Sequence, residues 1–233
     1  MKGAMDKLNV FIGWDSKVSE VSEVCAYSLI KRASIPINVT FLKLTQLQQE
    51  GLYSRASDPL ASTEFTYSRF LTPYLSSYNG LSLYCDNDFL WLEDIAKLIE
   101  SCDISIPLHC VKHVHIPTEK QKMDGKVQTC YPRKNWSSLM LFNCEHPKNK
   151  QLDIATVNKQ SASYLHQLKW LSDIEIGSLS PQWNWLEGYS PKPGRCEPKA
   201  IHFTRGGPWL HEYRKCDYAD IWIKEQKEYR LSK

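Results

Sequence analysis

The chain has 233 residues, 42% hydrophobic and 24% charged, with a formal net charge of +3. That is enough for one domain with a substantial core, and the composition excludes disorder beyond the ends. With charge nearly balanced, no dense Lys/Arg block and no apolar run of the roughly 20 residues that span a bilayer, nothing calls for a nucleic-acid partner or a transmembrane segment.

Leu8 to Asp15 (LNVFIGWD) reads as a buried strand that ends in a polar turn. Val18, Val21, Cys25, Ser28 and Leu29 follow near helical spacing. Ile37 to Leu44 is a β-branched, alternating run, which completes the strand, helix, strand opening of a parallel α/β sheet. Tyr67, Phe70, Leu71, Tyr74, Leu75 and Tyr78 make a helical stripe, inside which Pro73 argues for a kink or a break. Leu81 to Asp88 (LSLYCDND) is the next strand, Glu93 to Cys102 a short helix and Asp103 to His113 a further strand.

From His115 to Asn135 the chain is polar and aperiodic, a loop long enough to be functional. Ser137 to Asn143 reads as a strand, Val157 to Leu171 as a helix, Pro198 to Thr204 as a late short strand and Tyr218 to Lys233 as a terminal helix. No internal repeat or domain boundary interrupts this order. The expectation is a single α/β domain over residues 1–233, with a mixed, mostly parallel sheet flanked by helices and a Rossmann-like nucleotide-binding half. The eight cysteines include no C-x-x-C pair and the N-terminus has no apolar signal core. Both point to a reduced, cytoplasmic protein whose association with any membrane is peripheral.

Asp86 and Asp88 interrupt an apolar run. Residues i and i+2 of a strand face the same way, so at the strand's end both carboxylates reach the crevice where open α/β sheets bind ligands. Paired carboxylates without an adjacent cation repel each other, and a divalent ion with hard-oxygen preference, Mn²⁺ or Mg²⁺, relieves that repulsion. The spacing alone fits equally well a turn that leads into the helix at Glu93.

Context extends the reading. T-Y-S-R-F-L-T-P-Y-L precedes the strand ending in D-N-D, and I-H-F-T-R-G-G-P-W comes late in the chain. In this order the segments resemble the nucleotide-sugar transferases of glycosyltransferase family 8, which have the glycosyltransferase-A fold. The resemblance implies a hexosyltransferase that uses a UDP-sugar, Mn²⁺ or Mg²⁺, and retention of anomeric configuration. It implies Asp86, Asp88 and His202 as metal ligands. It places the donor against Arg69, Asp86 and Asn87, with its base near Phe11, Gly13, Trp14 and Asp15. Arg69 could equally form an ordinary salt bridge, Asp15 could cap the following helix, and His202 could be a structural histidine.

Three departures stand out. Arg205-Gly206-Gly207 occupies the place of the family's diphosphate-binding Lys. Asn135-Trp136-Ser137-Ser138 replaces the Phe-Asn-Ser/Ala-Gly element that touches the donor sugar, keeping only a small residue at Ser137. The acidic D-Q-D element has no clean counterpart, and Asp173 and Glu175 are the candidates for a nucleophile or polar stabiliser, or else part of a plain surface turn. Lys112, His113, His115, Trp183 and Trp185 are candidates for the acceptor side, although core packing also explains a buried Trp. The acceptor itself, whether a glycan, a lipid-linked glycan or a protein, is not encoded in any motif. Two rival readings use the same residues: a sugar nucleotidyltransferase, disfavoured by the absence of a Gly-rich phosphate loop after the first strand, and a non-catalytic carbohydrate-binding protein.

Overall fold

The computed structural model describes residues 7–56, 58, 61–113, 133–191 and 196–233. Most of the loop expected between His115 and Asn135 therefore lies outside the described residues.

The chain opens with β1 (Leu8–Gly13), α1 (Ser19–Arg32), β2 (Ile37–Leu42) and α2 (Leu44–Gln49). Then come α3 (Thr72–Leu75), β3 (Leu81–Cys85), β4 (Phe89–Trp91), α4 (Ile95–Glu100), β5 (Leu108–Cys110) and β6 (Leu139–Asn143). The C-terminal part holds α5 (Ile154–Lys159), α6 (Ala162–His166), β7 (Ile176–Ser178), β8 (Trp185–Leu186), β9 (Ala200–His202) and α7 (Ala219–Leu231).

Six strands form the main sheet in the order β2-β1-β3-β6-β5-β7, and β4-β9-β8 form a second, smaller one. In the main sheet β1 runs parallel to β2 and β3, and β5 parallel to β7, while β6 is antiparallel to both its neighbours. The mixed, mostly parallel sheet is thus present. Its strands are apolar almost throughout because both faces are covered. Phe11, Tyr84, Met140 and Phe142 point to one side, whereas Leu8, Val10, Ile12, Leu83, Cys85, Leu139 and Leu141 point to the other. This is the period-2 alternation of a pleated strand. A third cluster joins Val21 and Val24 of α1 to Leu90, Ile201, Phe203 and Trp222, and so fastens the small sheet and α7 to the main body.

Several elements differ from the sequence expectation for local reasons. The stripe through Pro73 is a 3-10 turn, Ser68–Leu71, that passes into α3. Proline sits in the first turn of α3, where its missing N–H leaves no bond unmade, so it starts a helix there rather than kinking one. Val157 to Leu171 is not one helix: Ser161 accepts a hydrogen bond from Tyr164 N and begins α6 anew. The expected strand at Asp103–His113 shrinks to β5, and the helix at Glu93–Cys102 begins only after Asp94, whose carboxylate accepts from Ala96 N.

One close approach in the sheet gives a stability prediction. His109 of β5 lies opposite Gly177 of β7, and a Cβ at Gly177 would come within 2.1 Å of the buried imidazole. Gly177→Ala is expected to lower stability by about 1–3 kcal/mol through overpacking. Urea denaturation checks this, and an unchanged midpoint would show that the ring can move aside.

Candidate functional site

Parallel pairing brings the carboxyl ends of β1 and β3 to one edge of the sheet, and antiparallel pairing sets the start of β6 beside them, with Cys85 opposite Leu139. Asp86 therefore follows β3 directly onto this edge. Its backbone N–H donates to the Ser138 carbonyl at 2.9 Å. Asp88 stands at the start of β4, and the antiparallel pairing of β4 with β9 places Phe89 opposite His202. The two rings stack with centroids 4.6 Å apart and planes 19° apart. Residues more than a hundred positions apart thus meet because two sheets share one turn.

The outcome is a cluster in which one ligand atom each from Asp86, Asp88 and His202 lies within 4.8 Å of the others. Arg69 Nη1 reaches Asp86 Oδ1 at 2.7 Å and the Ser137 carbonyl at 3.0 Å. Tyr84 donates its hydroxyl to the same Asp86 oxygen at 2.7 Å. His202 Nε2 is 3.3 Å from Asp88 Oδ1, an oxygen that receives no aligned hydrogen bond among the described residues. Burial raises the Asp86 pKa above the usual carboxylate value; Arg69 opposes the rise and Asp88 adds to it. Burial also disfavours the charged form of His202, but the Asp88 carboxylate outweighs it and holds the imidazole pKa above its ordinary value.

Such a cluster could hold a cation. Two carboxylates and an imidazole converge, Asp88 Oδ1 receives no aligned hydrogen bond among the described residues, and the Asp88 charge adds to the burial that raises Asp86. Oxygen and imidazole ligands together suit a hard or borderline divalent ion such as Mg²⁺ or Mn²⁺.

The other sequence candidates are placed as follows. Phe11 is buried in the core, and Gly13 faces the Phe65 ring, which a Cβ there would meet at 2.6 Å. Trp14 is half-buried, 4.9 Å from the Phe41 ring, with the Lys43 ammonium 4.4 Å above it. Asp15 accepts from Lys17 N and so caps the short turn before α1. Asn87 is buried, with no partner for its side-chain N–H₂ among the described residues. Ser137 bonds the His166 ring at 3.0 Å.

Arg205 lies against Glu187, with contacts of 3.0–3.3 Å to its carboxylate. Gly188 (φ 75°) leaves room for that guanidinium, since a Cβ would fall 2.0 Å from Nη2. Gly206 has φ 113°, a conformation that favours glycine, and Gly207 abuts the Trp209 ring. Trp183 and Trp185 are both buried. Lys112 lies 5.8 Å from the Trp136 ring, whose indole N–H donates to the His113 carbonyl. His115 lies outside the described residues.

Asp173 and Glu175 make their bonds elsewhere than in the cluster. The Asp173 side chain is 84% exposed and pairs with Arg133. Glu175 forms a capping box with Ser172 and pairs with Lys148. The Ser172 hydroxyl and N–H lower the Glu175 pKa to about 2. A depressed carboxylate pKa adds stability that is present above the unfolded value of 4.5 and is lost as pH falls toward about 2. Glu175→Gln is therefore expected to melt earlier than the parent at neutral pH and to converge with it near pH 2. Melting curves across that range test this, and a pH-independent difference would refute it.

The sequence reading missed Tyr84 and Asn184, which are hydrogen-bonded to Asp86 and His202 respectively. Tyr84 had a signal, two residues before Asp86 on the same strand. Asn184 had none, because its partner is eighteen residues away.

The fold and this cluster define a protein of the glycosyltransferase-A architecture. The bifunctional glycosyltransferase WbbM superposes with a TM-score of 0.65 at 16% identity, over 97% of this chain and 50% of that one. GlyE of Streptococcus pneumoniae TIGR4 gives 0.61 at 15% identity, over 94% of this chain and 60% of its own. The galactosyltransferase LgtC, solved with donor and acceptor sugar analogues, gives 0.59 at 12% identity, over 94% of this chain and 95% of its own. The chain thus spans only about half to three-fifths of the length of the first two structures. No protein-family model matches the chain. In sequence it is 47% identical over 223 residues to Protein CDI of Arabidopsis thaliana, covering 94% of this chain and 86% of the relative. The chain belongs to the family of Protein CDI. No helix among the described residues is long and apolar enough to cross a membrane.

Proposed function

We propose that this protein is a metal-dependent glycosyltransferase that moves a sugar from a nucleoside-diphosphate donor, a UDP-sugar, to a glycan, lipid-linked or protein acceptor, with retention of anomeric configuration. The convergence of Asp86, Asp88 and His202 at the carboxyl edge of the sheet carries the proposal. These residues would hold Mn²⁺ or Mg²⁺, which supplies charge stabilisation to a departing diphosphate. Arg69 fixes Asp86 and adds positive charge beside it. The carboxyl ends of β1 and β3, with Trp14 and Asp15 on the first and Asn87 beyond the second, form the cleft for the nucleotide.

Glycosyl transfer separates the anomeric carbon from a phosphate oxygen, so stabilisation is most useful where charge grows on the leaving group. Arg205 is largely committed to Glu187, and Gly206 and Gly207 pack against Leu210 and Trp209 beside it. On the acceptor side we favour Lys112 and His113 over Trp183 and Trp185, whose rings are buried. Of the two acidic candidates for a polar stabiliser, Glu175 is held in its helix cap, and Asp173, paired with Arg133, is the more exposed.

A panel of nucleotide sugars incubated with the protein and Mn²⁺ tests the proposal. Release of free nucleoside diphosphate from one member is expected, together with a rise in melting temperature when UDP and Mn²⁺ are added together. Binding without release would favour the non-catalytic carbohydrate-binding reading. The proposal fails if no donor is turned over and neither UDP nor GDP with Mn²⁺ protects the protein.

A further inference from the structure

Hydrogen bonds run in line from the cluster into the sheet edge. Asn184, fully buried on the turn before β8, has Oδ1 2.9 Å from His202 Nδ1 and Nδ2 2.9 Å from Ser138 Oγ. Ser138 Oγ in turn lies 2.7 Å from the Asn135 carbonyl oxygen.

The polarity of this line is fixed at one end. A peptide carbonyl can only accept, so the Ser138 hydroxyl gives its single proton to Asn135. Its lone pairs then face Asn184, which must present N–H₂ to them, and the amide oxygen is left facing His202. The reverse order would set two lone-pair-bearing oxygens against each other at 2.7 Å in a buried place, leaving a hydrogen bond unmade. Nδ1 of His202 therefore carries a proton, and Nε2 is the nitrogen that faces the carboxylates. On the far side of the ring, Nε2 lies 3.3 Å from Asp88 Oδ1.

We infer that Asn184 is a positioning residue. Through Ser138 and the Asn135 carbonyl it holds the His202 ring in its Nδ1–H form and turns Nε2 toward Asp86 and Asp88 as a ready ligand for a divalent cation. The inference deepens, and rests on, the metal-dependent reading above. It also gives the segment from Asn135 to Ser138 a second task. The Ser138 carbonyl holds the Asp86 N–H, the Ser137 carbonyl holds Arg69, and the Ser138 hydroxyl anchors the line to His202. One short turn thus sets the carboxylate side and the imidazole side of the clamp together.

Calorimetric titration of the full chain with Mn²⁺ tests the inference. Loss of the partner that orients a metal-ligating histidine typically weakens the metal by about 10–100-fold, and that is the effect expected for Asn184→Ala. Asn184→Asp retains an acceptor for Nδ1–H and should stay much closer to the parent. Equal Mn²⁺ affinity in a folded Asn184→Ala protein overturns the proposal. A second measurement needs no variant: ¹⁵N shifts of the neutral His202 ring, recorded at alkaline pH in the metal-free parent, should report a protonated Nδ1 and a bare Nε2, and the opposite tautomer overturns the proposal. If the parent binds no Mn²⁺ at all, the transferase reading falls, and the nitrogen assignment still decides whether Asn184 orients the ring.

Discussion

Asp88→Asn is expected to abolish the joint stabilisation by UDP and Mn²⁺ and to cut sugar transfer by about a thousandfold, while the metal-free protein keeps its thermal stability. The first half follows from charge. An amide in place of the carboxylate removes one of two anionic ligands, and metal stabilisation of a developing anion amounts to several kcal/mol, with each 1.36 kcal/mol worth about tenfold in rate. The second half follows from the cost of the site. Burial and the Asp88 charge both push Asp86 away from its ionised form, so removing Asp88 relieves that repulsion and offsets the attraction to His202 that is lost with it. Active sites commonly hold such unfavourable arrangements, and removing them trades activity for stability. Thermal melts with and without UDP and Mn²⁺, beside the donor-release assay, separate the two halves. A variant that keeps its Mn²⁺-dependent protection would place the metal elsewhere.

Arg205→Ala is expected to destabilise the protein by about 3 kcal/mol, the lower end of the range for breaking a buried ion pair. Glu187 is only 1% exposed, whereas 32% of the Arg205 side chain meets solvent, which is why the lower end applies. In a chain of this size such a loss corresponds to a fall of roughly 6–12 °C in melting temperature. Most of the cost is the Glu187 carboxylate left buried with, among the described residues, the Asp217 N–H at 3.3 Å as its remaining donor. The double change Arg205→Met with Glu187→Leu should recover much of the loss, since an apolar pair of similar volume often replaces a buried ion pair without penalty. A fully stable Arg205→Ala protein would mean that the guanidinium serves the donor rather than Glu187. The binding constant for UDP with Mn²⁺ in the same variant measures any such contribution separately.

The two substitutions probe different strengths of the sequence reading. Asp86 and Asp88 were legible because two charges inside an apolar run conflict with burial, and a ligand resolves the conflict. Arg69 was legible as a cation near them, although its bond to the Ser137 carbonyl depends on the strand pairing. Arg205 was visible as a cation in a glycine-rich turn, but nothing local indicated that Glu187 would hold it. Trp183 and Trp185 looked available for a sugar because alternation on a short strand does not tell which face is covered. Here both rings are buried.

By itself the sequence determined the strand-helix-strand opening, the apolar strands of the main sheet and the carboxylate pair at the end of β3. Each is written in contiguous residues, through side-chain period and local charge. His202 was expected beside Asp86 and Asp88 only through the family resemblance; tertiary structure supplied the pairing of β4 with β9 that brings it to Asp88, the contact of Asn184 with its ring and the turn of Arg205 to Glu187. Those contacts join segments whose separation along the chain carries no periodic signal. They exist only once hydrophobic burial on both faces of the sheet has fixed which strands are neighbours and in what register.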